Sequence, residues 1–414
     1  MEKTVIELFA GVGGFRIGLN NIEKLDSNGQ AIENGEFEFV WANQWEPSTK
    51  VQHAFNCYNL RFKESNNSNV DISKVNKKEI PNHSLLCGGF PCQDYSVARS
   101  LANEKGIEGK KGVLWWQIRD ILKAKKTPFV LLENVDRLLK APSKQRGRDF
   151  GIMLRCLFEL GYTVEWRIIN AAEYGLPQRR RRIYIFAYKN NTVYAKKIKK
   201  RKVYDIFKNY SIFAKAFPIN DFSENKIKVM NIMEYDDLID VSNNFKFIFE
   251  NSGIMLNGNI YTIKTEPVCN NPIILRDIIE KNVNENYYLT EYQKNKFEYL
   301  RGKKKILRTR QDGNQYYYSE GAMSPYDDLD LPGRTMLTSE GSVNRSTHII
   351  KDPQTKRLRI LTPVECERLN QFPDNWTNSG MPERKRYFMM GNALVCGIVS
   401  KLSPLISEII EGEK

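Results

Sequence analysis

Two hydrophobic periods alternate along the first half of the chain, and the switches between them mark out elements. Residues 4–9 form a short β-branched and apolar run that stops at glycine-rich sequence, and residues 15–22 follow with helical spacing. Further apolar runs of strand length lie at 39–42, 85–87, 129–132, 164–169 and 183–187, with helical patterns at 49–56, 113–125 and 148–161. Strands alternating with helices imply crossover connections, so the fold class expected is α/β, a doubly wound, mostly parallel sheet. A glycine-rich turn directly after the first strand suits a nucleotide-binding unit.

After about residue 190 the rhythm is lost in Asn- and Lys-rich segments with irregular apolar runs, and a second, smaller domain is expected over 190–374. Order returns at 361–369, where Thr362 reads as an N-cap, Pro363 as the first helical residue and Glu365 as the partner in a capping box. Residues 391–395 then lead into an apolar helix reaching Ile410.

Composition narrows the class. A chain of 414 residues holds about two domains. No run of about 18 apolar residues occurs and the start opens straight into a strand-like segment, so a soluble, cytoplasmic protein without membrane contact is expected. The seven cysteines are scattered without CxxC or Cys/His spacing, which argues against a disulfide framework or a metal site. Lys and Arg number 63 against 49 Asp and Glu, a net charge of +14. Residues 178–204 hold eleven of these cations and 301–310 six more, neither with an acid. Such runs point to a polyanionic partner, although 196–202 alone also reads as a solvated face.

Four motifs carry the chemistry: Phe9-Ala10-Gly11-Val12-Gly13-Gly14, Gly88-Gly89-Phe90-Pro91-Cys92-Gln93, Glu133-Asn134-Val135, and Gln178 to Arg182. In identity, order and rough spacing they resemble the cytosine-5 DNA methyltransferase family, over about residues 1–190 and 355–410. The resemblance implies a Rossmann-like, S-adenosylmethionine-dependent catalytic domain over 1–189 and a target-recognition domain over 190–374. It also implies that residues 375–414 return beside the first strand, and a monomer paired with a restriction endonuclease.

Carbon 5 of cytosine is a poor nucleophile until carbon 6 is attacked, and a cysteine thiolate suits that step. Cys92, at a strand end after Pro91, is assigned this role, whereas Cys87 inside the apolar run reads as core. Attack pushes electron density toward nitrogen 3, where Glu133 would act as an acid if burial raises its pKa. On a strand Arg180 and Arg182 share one direction and Arg179 and Arg181 the other. Arg182 is assigned to the cytosine carbonyl oxygen and Arg180 to phosphate or the thiolate environment; Arg179 and Arg181 serve phosphate or face solvent.

For the donor, which leaves as S-adenosylhomocysteine, the resemblance implies Phe9, Ala10, Gly11, Gly13 and Gly14 in the loop. Trp45 is expected to stack on adenine, Asp71 with Ile72 to meet its amine, and Leu114 and Asn392 to lie near. Family members carry a glutamate where Gln44 stands, so ribose would meet an acceptor without charge. A stacked cytosine must be extruded from the duplex. The loop at about 94–112 is expected to close over it, with Gln93, Ser96, Arg99 and Gln178 at double-stranded DNA. Arg308, Arg310, Gln311, Asn344 and Arg345 are candidates for contacts in the second domain. Two rival readings are a tRNA cytosine methyltransferase on the same scaffold and a catalytically dead DNA-binding regulator. Retention of Cys92, Glu133 and Arg182 speaks against the second, and the long variable segment against the first.

Overall fold

Every strand read from the periodicity is present in the computed structural model, which describes residues 1–47, 49–63, 65–90, 114–310 and 313–413. They are Thr4–Leu8 (β1), Glu38–Asn43 (β2), Leu85–Gly89 (β4), Phe129–Val135 (β5), Tyr162–Asn170 (β6) and Arg181–Lys189 (β7), with the short Asn67–Ser68 (β3) added at the edge. β1 to β5 pair in parallel. β7 runs antiparallel between β5 and β6. Because β7 is reversed, its first residues Arg181 and Arg182 arrive at the same sheet edge as the last residues of β4 and β5.

Alternation along the strands sorts side chains to two faces. Val5, Leu85, Cys87, Phe129, Leu131 and Phe186 enter one core, which the helices Gly14–Leu19 and Cys396–Glu411 cover. Ile6, Leu86, Val130, Leu132, Ile183 and Ile185 enter the other, under the helices Leu114–Lys125 and Arg148–Glu159. The sheet is therefore doubly wound.

The C-terminal helix docks on the first one. Ile398, Val399, Leu402, Ile406 and Ile410 are buried on it, each contributing roughly 1.5–3 kcal/mol on burial. Gly18 permits the approach, since a Cβ there would lie 2.5 Å from Val399 Cβ and 2.8 Å from the Cys396 carbonyl oxygen. Ser403 Oγ donates to the Leu19 carbonyl at 2.7 Å.

The sheet continues past the point where the βα rhythm stops. Ser252–Leu256 (β9) pairs with β6, and Asn259–Ile263 (β10) and Lys228–Asn231 (β8) extend it, giving ten strands among the described residues in the order β3-β2-β1-β4-β5-β7-β6-β9-β10-β8. Gly253 lets Trp166 lie across β9, for a Cβ there would fall 1.8 Å from the indole.

Residues from 264 to about 374 include a smaller unit around the helix Glu291–Arg301 and the antiparallel pair Ile349–Lys351 with Leu358–Ile360. Its apolar cluster is slight: Leu289, Phe297 and Ile349. Buried ion pairs supply the rest of its definition, Arg301 with Asp327 at 2.9 Å and Arg359 with Asp352 at 2.9 Å and Glu365 at 2.7 Å. Breaking one such pair leaves a buried charge uncompensated, at a cost of about 3–5 kcal/mol. The capping box forms as expected, with Glu365 N–H donating to Thr362 Oγ1 at 3.1 Å and Thr362 N–H to the Glu365 carboxylate at 2.7 Å. A two-stranded ribbon, Lys304–Thr309 (β11) with Gln315–Glu320 (β12), projects from this unit. Among the described residues no single helix is long and apolar enough to cross a membrane.

Candidate active site

The glycine-rich turn leaves β1 through three left-handed residues, Phe9 at φ 54, Gly11 at φ 56 and Gly13 at φ 94, a conformation open to glycine at little cost. Its backbone is tied down on several sides. Ala10 N–H donates to the Asn43 carbonyl at 3.1 Å, Gly11 N–H to Gln44 Oε1 at 2.8 Å, and Trp376 Nε1–H to the Val12 carbonyl at 2.7 Å. Beneath the loop lies Glu7, fully buried, which accepts from the Phe15 N–H at 3.2 Å and the Tyr58 hydroxyl at 3.0 Å. Burial pushes its carboxyl up to about 7, against the pull of Tyr58 and Arg16. Sequence reasoning passed over Glu7, although a lone acid inside the run Thr4–Leu8 was a signal.

Around this turn the expected donor residues take different positions. Trp45 follows β2 with its side chain 38% exposed. Asp71 caps the turn Ile72–Lys74, accepting from Ser73 N–H and Oγ at 2.9 Å each. Ile72 itself is packed in the core, and Leu114 is half-buried at the start of its helix. Asn392 ends the helix Glu383–Asn392 with an exposed side chain. Gln44 Oε1 accepts from Gly11 N–H, which leaves the second lone pair of that oxygen and the amide N–H groups to meet a ligand.

The catalytic edge is built from strand register. Gly89 lies opposite Glu133, and Val135 opposite Arg182, so Glu133 and Arg182 are diagonal neighbours on one face. Arg182 Nε stands 3.1 Å from Glu133 Oε1, with the two side chains 17% and 13% exposed. Burial raises the Glu133 pKa, opposed by Arg182 and Arg180. A Cβ at Gly89 would sit 3.4 Å from Glu133 Oε2, so glycine keeps the approach to the carboxyl open. Asn134 Nδ2 reaches across to the Phe90 carbonyl at 2.8 Å and anchors the point where β4 gives way to Pro91. Cys92, Gln93, Ser96 and Arg99 lie outside the described residues. Cys87 is core, as expected, and burial pushes its thiol pKa far up.

For Arg180 the phosphate reading requires a correction. It shares the inward direction of Arg182, but it is only 3% exposed and its terminal nitrogens donate to the carbonyls of Met336 at 3.1 Å, Gly391 at 3.2 Å and Asn392 at 3.4 Å. A guanidinium held this way is a fastener and does not face a phosphate. Burial, with Arg182 beside it, brings its pKa down to about 10. Arg179 and Arg181 are exposed, and Arg181 stands 3.3 Å from Asp136.

A carboxyl of raised pKa beside a fixed cation, at the carboxyl edge of a doubly wound sheet and next to a glycine-rich turn, suits proton donation and charge stabilisation on one bound ring. The family model described as C-5 cytosine-specific DNA methylase matches residues 3–408. The chain belongs to the C-5 cytosine-specific DNA methylases. This methylase is 54% identical over 407 residues to the Type II methyltransferase M.Sau3AI of Staphylococcus aureus, covering 98% of this chain and 95% of that one. With M.HhaI of Haemophilus parahaemolyticus it shares 34% identity over 186 residues, 45% of this chain and 49% of that protein. Among solved structures, DNMT2 of Spodoptera frugiperda superposes with a TM-score of 0.60 at 15% identity, covering 99% of this chain and 100% of that one. S. pombe Dnmt2 gives 0.58 at 17%, with 99% of each chain covered. At such identities the likeness is one of fold.

Two of the residues expected at DNA in this methylase turn out to be braces. Gln178 is fully buried; Nε2 donates to Asn370 Oδ1 at 2.7 Å, and Oε1 accepts from Met336 N–H at 3.2 Å. It is therefore a link between segments and has no face toward a duplex. Arg345 donates to the Leu300 carbonyl at 2.9 Å, the Gly321 carbonyl at 2.5 Å and Glu320 Oε2 at 3.1 Å, which fixes the base of the ribbon. Asn344 is exposed, with Oδ1 accepting from Ser346 N–H at 3.0 Å and Oγ at 2.8 Å. Arg308 and Arg310 are exposed on the ribbon, while Gln311 lies outside the described residues.

Proposed function

We propose that this enzyme transfers a methyl group from S-adenosylmethionine to carbon 5 of a cytosine extruded from double-stranded DNA, within a restriction-modification system in the cytoplasm. The observation that carries the reading is the Glu133–Arg182 pair, 3.1 Å apart at the sheet edge where the Cys92 segment departs. In this reading Cys92 adds as thiolate to carbon 6 while Glu133 supplies a proton to nitrogen 3 and Arg182 holds the ring carbonyl oxygen. The ring is then an enamine whose carbon 5 takes the methyl group. Loss of the carbon 5 proton and expulsion of Cys92 restore aromaticity, and the Glu133 proton returns.

The residues around the turn fit the donor, which supplies an electrophilic methyl group when bound. Trp45 offers an exposed indole for an adenine ring, Asp71 a partly exposed carboxylate for its amine, and the left-handed turn close backbone approach. Gln44 would meet the donor with its N–H groups and the second lone pair of Oε1. The restriction-modification setting is supported by the Type II name of the relative that matches nearly the whole chain. We assign residues 264–374, the part of the 190–374 stretch that lies beyond β10, to target recognition, with Arg308 and Arg310 at DNA.

The test is a duplex carrying 5-fluorocytosine at the target position, since fluorine does not leave as a proton does. A covalent protein–DNA complex stable to denaturing electrophoresis is expected from the wild type and none from Cys92→Ala. Methyl transfer by Cys92→Ala would overturn the assignment.

A further inference from the structure

The ribbon β11–β12 is anomalous as a piece of folded protein. Of its paired residues only Lys304, Tyr318 and Glu320 are even partly buried, and large apolar side chains stand in solvent on both faces: Ile306 at 37%, Leu307 at 49% and Tyr317 at 60% exposure. A two-stranded ribbon with nothing packed on it is marginal in water. Among the described residues this one is braced only at its base, where Glu320 meets Arg345 at 3.1 Å and Lys304 at 3.6 Å. Such an arm requires a partner.

Register divides its side chains into two sets. Ile306 opposite Tyr318 and Arg308 opposite Tyr316 share one face; Lys305 opposite Ser319, Leu307 opposite Tyr317 and Thr309 opposite Gln315 share the other. On the first face the Arg308 guanidinium lies 3.9 Å from the Tyr318 ring centroid and that of Arg310 5.2 Å from Tyr316. On the second, Lys305 Nζ lies 4.5 Å from the Tyr317 ring. Stacking on a ring immobilises a guanidinium while leaving its planar N–H fork free at the edge.

We infer that β11–β12 enters the major groove of the duplex as a two-stranded reading arm, with Arg308 and Arg310 presented to guanine edges and Lys305 turned to phosphate. The inference rests on the methylase reading above and deepens it. The groove, about 12 Å wide, admits a two-stranded ribbon, and bidentate Arg to guanine N7 and O6 is the commonest specific contact. Six paired residues per strand extend roughly 20 Å at about 3.4 Å each, enough to lie along several base pairs. Charge complementarity selects DNA as the occupant, because residues 303–320 carry five cations against two acids, Asp312 and Glu320. Arg345 thus becomes a positioning residue for the arm.

Arg308→Lys and Arg310→Lys keep charge and exposure but lose the fork, so they test reading apart from attraction. A randomised duplex library is selected for binding and, separately, for methyl incorporation. Each variant is expected to lose about tenfold or more of its discrimination at one guanine position, the scale of one bidentate contact. Lys305→Gln is expected to weaken all duplexes alike and to flatten the salt dependence. Unchanged site preference in both arginine variants overturns the inference, whether or not overall affinity falls, as does a wild type with no preference in either selection. If the wild type selects a site by binding but transfers no methyl group, the reaction assignment fails and the arm still stands.

Discussion

Glu7→Gln tests whether the acid beneath the donor loop is held as a neutral group. The amide keeps an oxygen for the Phe15 N–H and turns its NH2 to the Tyr58 oxygen, so packing and both contacts survive while the titration is removed. Between the ordinary 4.5 and about 7 the folded chain holds a proton on Glu7 that the unfolded chain has released. Stability from this group is therefore complete below pH 4.5 and lost as pH rises through about 7, by roughly 3 kcal/mol at 1.36 kcal/mol per pH unit. Other groups act at the same time. Glu165, raised to about 7 by burial, has the same sign, whereas His83, lowered to about 4 by burial, loses stability as pH falls. The difference between variant and wild type cancels these and isolates Glu7. Urea unfolding at pH 5, 6, 7 and 8 should show the variant gaining on the wild type by about 2.5 kcal/mol across the series, the remainder having been lost below pH 5. Parallel profiles for the two proteins would refute a protonated Glu7.

Glu133→Gln and Arg182→Ala should each lower turnover by about 10²–10⁴, the usual contribution of a positioned acid or fixed cation, with little change in melting temperature; a variant that fails to fold would mark a structural role instead. Because Arg182 pulls the raised Glu133 pKa down, the residual activity of Arg182→Ala should keep its protonated acid to higher pH, moving the alkaline limb of the rate profile upward. Gln44→Glu should retain the bond from Gly11 and supply a second, charged oxygen, tightening donor binding by about tenfold in calorimetry; unchanged affinity would remove Gln44 from the donor site.

The parts of this molecule legible in its sequence are those set by local chemistry. Alternation placed the six main strands, the Thr362–Glu365 box was readable from three neighbouring residues, and strand direction separated Arg180 and Arg182 from Arg179 and Arg181. What escaped depends on distant partners. Arg180 and Gln178 read as nucleic-acid ligands because nothing near them in the chain announces that the acceptors and donors at 336, 370 and 391 will enclose them. Of the strands β8 to β10, Lys228–Asn231 is too short and exposed to carry a strand signature, whereas Ser252–Leu256 and Asn259–Ile263 are mostly buried and flank Asn257-Gly258, a hairpin signal that the irregular surroundings masked. The ribbon escaped for another reason, since its Lys, Arg and Tyr positions read as a basic run when no core imposes alternation on them.

The junction at Arg180 bears on how such enzymes diversify. Met336 offers Arg180 a carbonyl and Gln178 an N–H, atoms that every residue except proline possesses in full. These two contacts are thus made to backbone atoms alone, while the Met336 side chain is buried in the core and the Thr335 hydroxyl donates to the Arg179 carbonyl. Mutation elsewhere in the variable region alters what the arm meets without disturbing the edge that holds Glu133 and Arg182, so lineages are free to explore new sites while inheriting one unaltered reaction. A graft of residues 270–350 from a relative should be accepted where its backbone presents that N–H and that carbonyl in the same places and its side chain at 336 fills the same core position.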